Sequence, residues 1–133
     1  MKDRLVTLVL LFLIACSNQR TFKRAEDAQD AGREFIRASL DGDYDKAAFY
    51  LFQDTTNRLL MKKWRKDFER IDDATKQQYK DASILVIDVH PINDSVTSYT
   101  YSNSFRKDTT TIKIVKVDGE WLVDLKEILN ERK

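Results

Sequence analysis

The chain contains one histidine, His90, and an aspartate, Asp88, stands two residues before it in the run ILVIDVHPI, residues 84–92. Side chains two apart on a β-strand share a face, so the carboxylate could orient the imidazole for proton transfer. Asp88 and His90 are therefore the acid–base candidates. Their face also carries Ile84 and Val86, whereas Leu85, Ile87 and Val89 form the cleaner apolar row. That row is the expected core side, which puts the pair on the outside of a sheet and leaves no residue assigned as catalytic. A second set is aromatic. Tyr50, Trp64, Tyr99, Tyr101 and Trp121 could line a pocket for an apolar ligand with a polar end; ordinary core and cross-strand packing is the competing account. One histidine and one cysteine give no metal-ligand cluster. Three isolated glycines make no phosphate-cradling loop. No cofactor and no metal are expected.

The cysteine points elsewhere. Lys2 and Arg4 precede an apolar segment, Leu5 to Ala15, that stops at Cys16. A membrane-spanning helix needs about 20 apolar residues, and these eleven have the dimensions of a secretory h-region instead. Leu13-Ile14-Ala15-Cys16 resembles the bacterial lipobox. The resemblance implies cleavage before Cys16, diacylglycerol on its thiol and acylation of the new amine. Two or three chains would hold the protein at a membrane, where one is marginal. Ser17 and the residues after it lack the aspartate and the acidic run that redirect such proteins. The expected address is the bacterial cell envelope, in the outer membrane and facing the periplasm.

Removing residues 1–15 leaves 118 of the 133 residues, a length that suits one domain. The expected organisation is a signal peptide over 1–15, the lipidated cysteine and a short tether over 16–23, and a single domain over 24–133. The tether from Ser17 to Lys23 reaches at most about 25 Å. The mature chain has 21 basic and 21 acidic residues, once Lys2, Arg4 and Asp3 are taken from totals of 23 and 22. A net charge near zero gives no support to nucleic-acid binding.

The elements that must position the candidates follow from periodicity. Ala28, Ala31, Phe35 and Ala38 recur at helical spacing from Arg24 onward, with Glu26 and Asp27 suited to a first turn and Asp41-Gly42 as the exit. Gly32 inside this helix costs about 1 kcal/mol against alanine. Asp43 can cap a second helix, Tyr44 to Leu51, and Asp54 or Thr55 a third. The third carries Leu60, Trp64, Phe68 and Ile71 on one stripe and continues toward Tyr79. Its run Lys62-Lys63-Trp64-Arg65-Lys66 could meet anionic headgroups. Asp67 and Glu69 lie four residues beyond Lys63 and Arg65, as a plain solvated helix face would have them.

Beyond Asp81 the period becomes two. Strands are expected over 84–92, 96–104, 109–117 and 120–125. Asp118-Gly119 makes a two-residue hairpin, which sets Val117 opposite Glu120, Ile114 opposite Val123, Ile112 opposite Leu125 and Lys113 opposite Asp124. Ile112, Ile114, Val123 and Leu125 then share the core face with Trp121, and Lys113 and Asp124 form an ion pair on the other. Tyr99 and Tyr101 point at the helices if the second strand keeps that parity.

Three helices followed by four antiparallel strands, with LDGDYDKAAFYL after the first helix and VDGEWLVDL in the last hairpin, resemble the nuclear-transport-factor-2-like superfamily, in particular its small bacterial lipoproteins. The resemblance covers residues 25–128 and implies an α+β fold, helices on a curved four-stranded antiparallel sheet that forms a cone with a pocket. Such cones serve isomerases, dehydratases and transport adaptors, so fold alone assigns no chemistry. The expected function is a membrane-anchored, non-enzymatic binding module for a small apolar ligand or an envelope protein. The alternative is a small acid–base enzyme of the isomerase or hydro-lyase type. A homodimer through the sheet face is a third arrangement the pattern allows.

Overall fold

Four helix starts are set by aspartates. In the computed structural model, which describes residues 19–131, Asp27, Asp43, Asp54 and Asp72 each accept a backbone N–H from the first turn that follows. They open α1 (Ala28–Asp41), α2 (Tyr44–Phe49), α3 (Thr55–Arg70) and α4 (Asp73–Asp81). Satisfying an orphan N–H at a helix start contributes about 1 kcal/mol per cap. Asp27 is thus the cap of α1 and not a member of its first turn. The third helix expected to run toward Tyr79 is two helices, because Ile71 takes an extended conformation and Asp72 restarts the chain, accepting from Thr75 N and Oγ1. α2 also ends earlier than expected. Its next residues, Tyr50 to Phe52, pair with a strand instead, Val123 N–H donating to Tyr50 O at 2.7 Å and Phe52 N–H to Val123 O at 2.8 Å.

That strand is the last of an antiparallel sheet in sequence order, β1 (Ile84–Asn93), β2 (Val96–Asn103), β3 (Thr110–Val117) and β4 (Glu120–Asp124). The hairpin register is as expected, with Ile114 opposite Val123 and Val117 opposite Glu120. Ile112, Ile114, Val123 and Leu125 are fully buried. Tyr99 pairs with Ile112, so the second strand keeps the same parity. The Lys113–Asp124 ion pair does not form. A fifth helix, α5 (Glu127–Glu131), follows β4 and brings Glu127 to Lys113 at 2.9 Å. Asp124 is taken by Asn57 of α3 and by Lys126. Among the described residues the domain is therefore α+β with four helices before the sheet and a short one after it.

β1 departs from strict alternation. Val86 pairs with Tyr101 and Asp88 with Thr100, which leaves Ile87 as a bulge. Beyond a bulge the faces exchange, so Ile84 and Val86 lie on the face of Val89, not that of Asp88 and His90. The row Leu85, Ile87, Val89 expected to form the core is broken accordingly. Leu85 and Ile87 are 46% and 56% exposed.

α1 lies on the sheet through Gly32. A Cβ at that position would stand 2.9 Å from Ile114 Cδ1 and 3.0 Å from the Tyr99 ring. The propensity lost at Gly32 is what allows the close approach of helix and sheet. Arg37, on the opposite flank of α1, donates to the carbonyls of Tyr79, Lys80 and Ala82 at 2.7–3.2 Å and to Asp41. It thereby holds the C-terminal end of α4, whose orphan carbonyls would otherwise face water.

Before α1 the chain is not a free tether. Arg20 makes a two-point contact with Asp43 at 2.7 and 3.1 Å, Phe22 packs on Phe49 with ring centroids 5.5 Å apart, and Tyr50 hydroxyl donates to Lys23 carbonyl at 2.6 Å. The Arg20 guanidinium holds the Asp43 carboxyl below its ordinary range. A depressed folded-state value contributes stability that is present above the unfolded value, about pH 4, and is lost as pH falls through the folded one. The NMR shifts of the Phe22 ring, packed on Phe49, should therefore stay displaced from random-coil values at neutral pH and collapse toward them below about pH 4, ahead of global unfolding. Random-coil shifts for Phe22 at pH 7 would contradict the docked segment.

The expected signal peptide, residues 1–15, and the expected lipidation site, Cys16, lie outside the described residues. Among the described residues, no helix is long and apolar enough to cross a membrane.

Candidate functional site

The α3 stripe predicted from spacing does not close over. Trp64, Phe68 and Ile71 are only partly buried, because the space in front of them is a cavity of about 360 Å³. That volume lies within the range of small-molecule pockets, about 300–1,000 Å³. α1 supplies Ile36 and Leu40 to the wall, α2 Tyr44, α4 Tyr79, and β2 Tyr101. The aromatic rings form a connected lining, with centroids 5.8 Å apart for Tyr44 and Phe68 and 6.4 Å for Phe68 and Tyr79, and Phe105 packs on Tyr79 at 5.0 Å. Such offset and edge contacts hold rings in fixed orientations. Trp64 is braced from behind by Phe35, itself fully buried.

Polar groups share the lining. Asp67, Asn103, Arg106, Asp108 and Thr110 line the same cavity. Asn103 Oδ1 accepts the N–H groups of Phe105 and Arg106 at 3.0 and 2.9 Å, which folds the loop after β2 and sets Arg106 in place. Lys107 next to it adopts φ +61°, a left-handed conformation that costs a lysine about 1 kcal/mol or more. Arg106 meets Asp108 at 3.4 Å, and both side chains are more than half exposed. Asp67 is bound to Lys63 and is half exposed. Burial pushes the Tyr44 hydroxyl up to about 12, with the Asp67 carboxylate adding to the effect. Tyr44 thus keeps its proton at physiological pH and acts as a donor, not a base.

The predicted pocket residues are divided among three places. Trp64 and Tyr101 line the cavity. Tyr50 and Trp121 lie in a separate, smaller hollow of about 130 Å³, with Arg24, Phe49 and Glu120. Tyr99 has no accessible surface and belongs to the core. Asp88 and His90 are exposed on the sheet's outer face, opposite Thr100 and Ser98, and do not reach the cavity. Sequence reading missed Asp67, Asn103, Arg106 and Asp108. Asp67 had a usable signal, because it is three residues beyond Trp64 and four before Ile71 on the same helix face. Arg106 and Asp108 had none, since a loop carries no period.

Tyr99 presents a separate test. Its hydroxyl is buried and has no hydrogen-bond partner among the described residues. Removing an unsatisfied buried polar group is favourable. Tyr99→Phe should raise the free energy of unfolding by about 1–3 kcal/mol in chemical denaturation; a loss of stability would show that the hydroxyl is satisfied.

No family model and no curated protein matches the sequence. A solved structure does match in fold: an NTF-2-like protein of unknown function from Shewanella oneidensis MR-1, at TM-score 0.50 and 12% identity, covering 71% of this chain and 89% of that one. The fold is NTF-2-like. At that identity the likeness carries the architecture alone. It agrees with helices packed on a four-stranded antiparallel sheet. The chemistry has to be read from the lining of the cavity.

Proposed function

We propose that this chain is a bacterial envelope lipoprotein, moored through lipid on Cys16 at the periplasmic side of the outer membrane, whose NTF-2-like domain binds a small ligand with a flat apolar body and an anionic or hydrogen-bonding end. The observation that carries the ligand class is the mixed lining of the cavity: the rings of Trp64, Phe68, Tyr79 and Tyr101, with Arg106, Asn103 and the protonated Tyr44 within the same space. Rings bury apolar area while a guanidinium and amide fix orientation, the usual division of labour in small-molecule sites. The mooring is supported by the charged start, the short apolar run and the residues before Cys16.

An acid–base enzyme is the weaker reading. The Asp88–His90 pair faces away from the cavity, and the two carboxylates that line it, Asp67 and Asp108, are exposed and bound to Lys63 and Arg106. A general base needs a carboxylate freed from water and counter-ion.

The probe is 1-anilinonaphthalene-8-sulfonate, a fused ring bearing an anion. Titration should saturate at one site, and Trp64→Ala should weaken binding by about tenfold, the equivalent of roughly 1.4 kcal/mol for losing one aromatic wall. Arg106→Gln should weaken it further for the sulfonate than for an uncharged naphthalene. Affinity unchanged by Trp64→Ala would remove the cavity as the site.

A further inference from the structure

We infer that the outer face of α3 is a membrane-contact surface that reads anionic phospholipid headgroups, and that it orients the anchored domain. The inference rests on the proposed lipid anchor at Cys16.

The α3 helix carries six basic and two acidic residues. Lys63 is neutralised by Asp67, and Arg65 by Glu69 and by Asp45 of α2. Four cations are left: Arg58, Lys62, Lys66 and Arg70, each exposed and each four residues from the next. They form one ridge along the helix, about 18 Å long at 1.5 Å per residue. Lys62, Lys66 and Arg70 have no ion pair among the described residues. An unpaired row of like charge is a surface destabilised by its own repulsion until an anionic partner neutralises it. Leu59, 62% exposed, adds an apolar contact beside the first of them. The tryptophan within the basic run points away, into the cavity, so the recognition is electrostatic.

The place where the described chain begins selects a membrane as the occupant. Arg20 is fixed to Asp43 at the start of α2, and two residues on, Asp45 meets Arg65 of α3 at 3.4 Å. The tether therefore leaves the domain beside α3. From Cys16 to Arg20 the chain spans at most about 14 Å. Anchored there, the domain cannot turn far from the bilayer, and the basic ridge lies on the side from which the lipid is attached. A Lys or Arg near a negatively charged bilayer gains on the order of fivefold in binding constant.

The test uses the full chain purified from its own host and reconstituted in vesicles of phosphatidylcholine alone or of phosphatidylcholine with phosphatidylglycerol. Lysines are acetylated briefly, and the protein is digested and read by mass spectrometry. Lys62 and Lys66 should be labelled at least about fivefold more slowly on the anionic vesicles, with Lys116 on β3 unchanged. The protection should vanish at 1 M salt, where the Debye length falls to about 3 Å. Equal labelling of Lys62 and Lys66 on both vesicles, with lipid present on the Cys16 peptide, overturns the ridge and leaves the anchor standing. A Cys16 peptide without lipid overturns both.

Discussion

Asn57→Leu is expected to destabilise the domain by about 3 kcal/mol, the largest loss from any single polar side chain here. Asn57 has no accessible surface, yet it sits in the first turn of a helix whose neighbours are solvent-exposed. Its amide ties two distant elements together. Oδ1 accepts Leu125 N–H at 2.8 Å and Nδ2 donates to Asp124 Oδ1 at 3.2 Å. Leucine keeps the branched shape with greater apolarity but a larger volume, so crowding alone would also cost stability. Asn57→Ala, which loses both bonds without crowding, should be destabilised to a similar extent. Loss of both bonds leaves a buried backbone N–H without an acceptor and a largely buried carboxylate short of one donor, each costing about 1–3 kcal/mol. Lys126, bridging Asp124 at 3.4 Å and Asp54 at 2.5 Å, covers part of the second loss. Denaturant unfolding at unchanged m-value measures the difference. A loss below about 1 kcal/mol would mean that α3 is held by its stripe alone.

Gly42→Ala is expected to cost about 2–3 kcal/mol and to impair the cavity as well. Gly42 ends α1 at φ +73°, its N–H bonding back to the carbonyls of Ala38 and Ser39. A non-glycine residue in that region loses about 1 kcal/mol. The remainder comes from crowding, because an added Cβ would stand 2.8 Å from Phe68 Cζ and nearer still to Cε1. Phe68 lines the cavity, so any shift of its ring alters the cavity wall. The backbone and the crowding contributions separate in two further variants. Gly42→Asn keeps the crowding at lower backbone cost, since asparagine tolerates the left-handed region. Gly42→Ala combined with Phe68→Ala removes the crowding, so the pair should be less damaging than the sum of its parts. Additive losses would place the whole effect in the backbone.

Much of the scaffold was legible because its information is local. Asp118-Gly119 is a hairpin turn in any context, and a single turn fixes every pair between β3 and β4. The aspartate caps at 43 and 54 were equally readable from the residues after them. What escaped was whatever depends on distant partners. The Ile87 bulge exchanges the faces of β1, and nothing in ILVIDVHPI marks it. The break at Asp72 hides inside a polar run whose periodicity was already weak. α5 is only five residues long, and it redirects Lys113 from Asp124 to Glu127.

The candidate site was half readable for the same reason. Helix spacing delivered Trp64, and strand parity delivered Tyr101. Tyr50 and Trp121 were grouped with them by residue type, which has no bearing on where a side chain lies, and they occupy a different hollow. The polar members come from a loop held by Asn103, a contact between residues that no pattern predicts. The segment 20–23 looked like a tether because it lacks periodicity, yet Arg20 finds Asp43 and Phe22 finds Phe49.

The most direct test is the intact mass, under native conditions, of the protein released from its own envelope. The account predicts a polypeptide that begins at Cys16, carries acyl chains, and holds one small molecule that is lost when Trp64 is replaced by alanine. A bare chain of all 133 residues with nothing bound would contradict it.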